Sequence, residues 1–327
     1  MKLNRNSKIF INYFLGPLIF IWLSWSIYNQ VNKQPQLGVA WQRIRDSFSG
    51  PLAWNLLLVI LLMFANWSIE AVKWKISVRS VQKVNFGRAF RAILSGVSFA
   101  VSTPNRIGEY LGRMLYMDEG NRLRTISVTI VGSMSQLIIT CVMGITGLII
   151  LRPYLAGEQF SSPVWFNAIL SGIIVFTAGL ILFYFRLSWI TRWVERIPGV
   201  KKFTYLVSAV EDLPPGLLWK LLGLSFLRFT VFIAQYALLF PLFAVELNLW
   251  QVYWGVSISF LVMAVIPTIA IIELPLRGAS MTMALGLFSL NHLGIGLTTA
   301  MIWLINLVIP AIAGSLMMLS MRKLVRE

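Results

Sequence analysis

The apolar residues of this chain come in runs of about 20, the length an α-helix needs to cross the ~30 Å hydrocarbon core of a bilayer, and no other feature constrains the fold as strongly. A soluble domain lacks such runs. Of 327 residues, 57% are hydrophobic and only 12% are charged, so most of the chain lies in lipid. The expected fold is all-α: one polytopic membrane domain over residues 1–327, with about six full spans near 9–28, 52–67, 126–151, 164–185, 217–245 and 295–319. Trp54, Trp67, Tyr154, Trp165 and Trp219 fall near the ends of these runs and read as interfacial anchors. The first run follows basic residues, as a signal peptide would. It is nevertheless about 20 residues long, contains the bulky Trp22 and Trp25, and lacks a small-residue cleavage site, so it reads as a retained span.

The formal net charge is +16, and the position of the charges decides what it means. Cations cluster at Lys2, Arg5 and Lys8, along residues 73–91, at Arg122 and Arg124, between Arg186 and Lys220, and at Arg322, Lys323 and Arg326. The intervening loops hold only Lys33, Arg43, Arg45 and Arg152. By the positive-inside rule the rich loops and both termini are cytoplasmic, which points to the cell membrane and to anionic lipid, with no nucleic-acid partner. Residues 73–91 mix Trp74, Ile76, Val78, Val81 and Phe86 with their cations, as a segment lying on the cytoplasmic leaflet does; solvated loop faces are the alternative. Residues 192–202 read the same way.

Two segments are too short and too charged to be ordinary spans. One runs from Ile93 through Pro104, Arg106, Gly108, Glu109 and Arg113 to Met117; the other runs from Val252 through Pro267, Glu273, Pro275 and Arg277 to Leu290. Each reads as a re-entrant hairpin, with Pro104, Gly108, Pro267 and Pro275 as its helix breaks. The first opens to the cytoplasm and the second to the outside. Pro104 precedes Glu109 by five residues, Pro267 precedes Glu273 by six, and an arginine follows each glutamate by four. That likeness suggests an inverted repeat with halves near 52–185 and 217–320, the arrangement that puts a transport site at the bilayer midplane.

A charge at membrane depth is costly unless paired or wetted, so each one is a functional candidate. Glu70, which the hydropathy puts at a helix end, Arg106, Glu109, Arg113, Arg228, Glu273 and Arg277 qualify. The last six are the candidate headgroup-binding and translocation residues. Arginine's planar fork grips phosphate and stays charged when partly desolvated, so the set fits an anionic headgroup. Glu109 with Arg113, and Glu273 with Arg277, are also spaced as intrahelical ion pairs that would lock the hairpins. Arg228 has no acid one turn away in its own helix, so its partner must come from another element. Ser133, Ser135, Gln136, Gln235 and Asn306 read as helix-to-helix contacts before ligand contacts.

One cysteine, Cys141, and one histidine, His292, leave no disulfide framework and no metal cluster, and no nucleophile elbow or phosphate-binding glycine loop occurs. No catalytic residue, metal or cofactor is assigned. A transporter is the preferred reading. An intramembrane glycosyl or phosphoryl transferase with Glu109 or Glu273 as base is the enzyme alternative, and a scaffold without transport is the third.

The stretch Pro104-Asn105-Arg106-Ile107-Gly108-Glu109, followed by Arg113, resembles the lysylphosphatidylglycerol synthase transmembrane family, the flippase-like domains that also form the front of the multiple peptide resistance factor. Its second-half counterpart, Pro267 to Glu273, lacks the family's glycines. The resemblance implies paired re-entrant helices around a lipid headgroup cavity and a role in moving a phospholipid, aminoacylated or not, between leaflets. The chain runs only to Glu327, without room for the soluble aminoacyltransferase domain of the full factor. A stand-alone flippase-like protein is therefore expected, with a separate lipid-synthesising enzyme and a second copy of the chain as the protein partners compatible with that role.

Overall fold

The computed structural model describes residues 42, 45, 46, 50, 52–101, 103, 106–155, 163–186, 210, 213–266 and 270–324. Among these residues the chain is helical, without strands. The helices are α1 (Ala53–Ser77), α2 (Phe86–Val101), α3 (Gly108–Met114), α4 (Arg122–Leu155), α5 (Pro163–Phe185), α6 (Pro215–Leu239), α7 (Leu249–Val265), α8 (Ala270–Leu285), α9 (His292–Trp303) and α10 (Ile309–Leu324). A π-helical turn, Leu304–Val308, joins α9 to α10 in one continuous span. Five stretches are long and apolar enough to cross a bilayer: Ala53–Ser80, Glu119–Leu155, Val164–Phe185, Pro215–Phe243 and His292–Met317. The protein is thus an all-α, multi-pass membrane protein. The expected span at 9–28 and the basic stretch 192–202 lie outside the described residues.

Each broken segment folds as a helical pair, α2 against α3 and α7 against α8. The two pairs then pack reciprocally across the molecule: α2 lies on α10, α7 lies on α4, and α1 meets α6 between them. Small residues allow the close approaches. A Cβ on Gly112 would stand 2.6 Å from the Cα of Gly96, so α2 and α3 touch backbone to backbone, and Gly314 of α10 sits directly on the Leu94 carbonyl of α2. Such contacts are how membrane helices associate where lipid offers no hydrophobic drive between them. Trp67, Trp74, Phe229, Tyr236 and Phe240 are buried in the largest apolar cluster. Helix α5 instead exposes Val164, Trp165, Val175, Phe176 and Leu182, as a lipid-facing helix does.

Four expectations are corrected. First, α1 does not end near residue 67 but continues to Ser77, so Glu70 lies well inside the helix and not at its end. Second, residues 73–91 do not form one surface segment. Lys73 and Lys75 belong to α1, Arg88 and Arg91 belong to α2, and Lys73 is only 2% exposed because Glu70, one turn earlier, neutralises it. Third, Trp67 is no anchor. It is 3% exposed, whereas Trp54, Tyr154, Trp165 and Trp219 are each more than half exposed. Fourth, Pro275 breaks nothing, because α8 runs through it. Proline has no N–H to donate to the carbonyl of residue 271, and the helix continues with that one bond missing. Pro104 and Pro267 lie outside the described residues; the interruptions beside them run from Val101 to Gly108 and from Val265 to Ala270.

Candidate functional site

Helix α1 carries Asn66, Glu70, Lys73 and Ser77 at spacings of four, three and four residues, which puts them along one face. All four are buried. At membrane depth such a stripe needs polar partners, and neighbouring elements supply them. Glu70 is the hub. Its Oε2 lies 3.0 Å from Lys73 Nζ and 3.0 Å from Arg228 Nη1, and its Oε1 accepts from Arg113 Nη2 at 3.0 Å. One carboxylate of α1 thereby ties α3 and α6 together. Lys73 also donates to Ser225 Oγ at 3.2 Å, and Ser225 meets Ser135 of α4 at 2.8 Å.

The first hairpin holds its charges through its turn. Arg106 has a left-handed backbone, with φ 57°. The Gly108 N–H that follows donates to Thr103 Oγ1 at 2.7 Å, and a side chain at Gly108 would collide with the Phe99 carbonyl. Glu109 pairs with Arg113 one turn on and lies 3.7 Å from Arg106 Nε. Arg113 is 3% exposed and so works inside the protein, clamped between Glu70 and Glu109. In the second hairpin Arg277 forks onto Glu273 Oε1 through Nη2 at 2.6 Å and Nε at 3.1 Å.

Arg228 faces the bundle interior. Its Nε donates to Asn66 Oδ1 at 2.6 Å and its Nη1 to Glu70, while its guanidinium lies 5.1 Å from the ring of Trp67 and 5.5 Å from that of Phe232. Both interactions favour a fixed, partly desolvated cation.

Three of the four arginines border one cavity of about 240 Å³. Arg106, Arg228 and Arg277 line it with Glu273, and Trp67, Phe229, Phe232, Phe260, Met263 and Ile302 give it an apolar wall. The π-helical turn forms another side with Asn306 and Leu307, next to Trp303. Chemically, the cavity offers hydrogen-bond donors on fixed cations beside apolar surface, which suits an amphiphile with an anionic head.

Of the residues picked from the sequence, Arg106, Arg228, Glu273 and Arg277 therefore meet at the cavity, while Glu109 and Arg113 stand behind it as an ion-paired brace. Sequence reasoning missed the roles of Asn66 and Lys73 and left Glu70 out of the set. The signal was available, since the polar residues of α1 repeat at helical spacing within an apolar run. Gln136 and Asn306 border the cavity too, whereas Gln235 joins α6 to α1 through the Val59 carbonyl at 3.0 Å. His292 opens α9.

A family model described as the lysylphosphatidylglycerol synthase TM region matches residues 13–314. Comparison with curated proteins returns no match.

Proposed function

The chain belongs to the lysylphosphatidylglycerol synthase transmembrane family, a membership that ties it to membrane lipids, and on that premise we propose that it is a lipid translocase, carrying a phospholipid or aminoacyl-phospholipid between leaflets with the headgroup in the arginine-lined cavity. The observation that carries the proposal is the convergence of Arg106, Arg228 and Arg277, from three separate elements, on one partly apolar cavity. A scaffold has no need to hold three arginines at membrane depth. The transferase alternative would use Glu109 or Glu273 as its base, and each is already paired with an arginine of its own helix.

The reciprocal packing of the two broken hairpins supports a single domain of two inverted halves, one hairpin opening to each side of the cell membrane with both termini cytoplasmic. Alternating access then amounts to rocking of one half against the other about the Arg228 to Glu70 contact. The test is headgroup exchange in liposomes by purified protein, with fluorescent phospholipid probes. Arg106→Ala should slow exchange severalfold while thermal stability stays within a few degrees of wild type, because Arg106 is partly exposed and Glu109 keeps Arg113 as its partner. Exchange at wild-type rate in Arg277→Ala and Arg106→Ala alike would defeat the proposal.

A further inference from the structure

Resting on the headgroup-site reading, we infer that the cavity selects a phosphomonoester headgroup, which carries two negative charges at neutral pH, over the singly charged phosphodiester of ordinary phospholipids. The first observation is the charge balance. Around α1, α3 and α6, the carboxylates of Glu70 and Glu109 face four cations: Lys73, Arg106, Arg113 and Arg228. Glu273 and Arg277 neutralise each other. Two positive charges are left over, and the shielded Arg228 has less water to spread its charge than the partly exposed Arg106 has. Lys73 and Arg113 are sealed in, so the surplus reaches the cavity through Arg106 and Arg228.

The second observation is the supply of donors. Arg106 Nε, Trp67 Nε1 and Trp303 Nε1, all on cavity-lining residues, are buried and have no hydrogen-bond partner among the described residues. The distance of 3.7 Å from Arg106 Nε to Glu109 is an ion-pair contact and too long for a hydrogen bond. Arg228 spends Nε and Nη1 on Asn66 and Glu70, which leaves Nη2 without a hydrogen-bond partner among the described residues. Unpaired donors on the residues around the cavity favour a ligand rich in acceptors, reached by small side-chain adjustments. A phosphomonoester presents three terminal oxygens and a phosphodiester two. An aminoacyl ester would instead bring an ammonium to a site already in positive surplus. The apolar wall of Phe229, Phe232, Phe260 and Met263 matches acyl or prenyl chains, so the source is a lipid and not free phosphate.

The ligand's own chemistry supplies a signature. The second ionisation of a phosphomonoester lies near pH 6, so roughly half the dianion is lost there. Because the site favours the dianion, binding is full above that pH and fades as pH falls through it. A phosphodiester stays singly charged throughout. The groups facing the phosphate are the guanidinium ions of Arg106, Arg228 and Arg277 and the paired carboxylate of Glu273.

The experiment is native mass spectrometry of the full chain released from nanodiscs containing phosphatidic acid, phosphatidylglycerol and phosphatidylcholine with identical acyl chains, at pH 7.5 and pH 5, with inorganic phosphate as competitor. One further charge-assisted hydrogen bond corresponds to about tenfold or more in affinity, so phosphatidic acid should be retained about tenfold over phosphatidylglycerol. That ratio should shrink at pH 5 and in Arg106→Gln, with Arg106→Lys recovering part of it. If Arg106→Gln does not fold, the wild-type ratio and its pH dependence decide alone. Equal retention of the two anionic lipids, both above phosphatidylcholine, would overturn the phosphomonoester claim and leave the headgroup site standing. No preference over phosphatidylcholine would overturn both. Displacement of phosphatidic acid by millimolar phosphate would assign the site to a soluble anion and overturn the lipid source.

Discussion

Arg228 of α6 donates to Glu70 of α1 at 3.0 Å, joining two helices that lie 158 residues apart in the chain. The same carboxylate neutralises Lys73 and Arg113. Removing it strands three cations at once, and breaking a buried pair costs about 3–5 kcal/mol. Glu70→Gln should therefore destabilise the protein more than Glu109→Gln or Glu273→Gln. Unfolding in mixed micelles ranks the three, and a Glu70→Gln protein as stable as wild type would contradict the hub.

Replacing Arg228 separates charge from shape. Arg228→Leu should abolish most anionic-lipid retention, and Arg228→Lys should restore only part, because lysine cannot bond Asn66 and Glu70 as a planar fork does. Trp67→Leu removes one ring beneath the guanidinium, a loss of about 0.5–2 kcal/mol. It should weaken retention less than Arg228→Leu does. Isothermal lipid titration in detergent gives all three values.

Close backbone contact predicts a contrast between two glycines. Gly112→Ala puts a methyl 2.6 Å from the Gly96 Cα, and overpacking of that kind costs about 1–3 kcal/mol. Gly172 of α5 has nothing within 4 Å of its would-be Cβ, so Gly172→Ala should be neutral or stabilising by up to about 1 kcal/mol. Melting of the two variants, followed by tryptophan fluorescence, should shift in different directions or by clearly different amounts.

The proposed opposite openings of the two hairpins predict opposite labelling. Gly120 follows the first hairpin and His292 the second, and both are exposed. In a Cys141→Ser background, which removes the chain's one cysteine, an impermeant thiol reagent should reach Gly120→Cys from one side of sealed vesicles and His292→Cys from the other. Reaction of both from the same side would refute the inverted arrangement.

Hydropathy and charge were enough to read the helical class, the two interrupted segments and the inward-facing Arg228, because each follows from a cost that lipid imposes on every residue alike. The partner of Arg228 was harder to read. Hydropathy places a span's end where charge begins, so Glu70 and Lys73 looked like the edge of α1, although their mutual pairing lets the helix carry them inward. Trp67 was mistaken for an anchor by the same shift of boundary. Pro275 was misread because a proline removes one backbone bond without having to end the helix, and composition does not disclose which outcome holds. The cavity combines residues from α1, α4, α6, α7, α8, α9, the π-helical turn and the first break, and no local pattern announces such a meeting.

The seat of Gly314 on the Leu94 carbonyl joins positions about 220 residues apart. At the roughly 5–20 residues per second of protein synthesis, α2 would wait on the order of 10–40 s between its own emergence and that of the helix it rests on. During that interval the first hairpin, with Arg106, Glu109 and Arg113, would sit in the membrane without its final neighbour. Newly made chains should then depend on the insertion machinery or a membrane chaperone to shelter that hairpin until translation is complete.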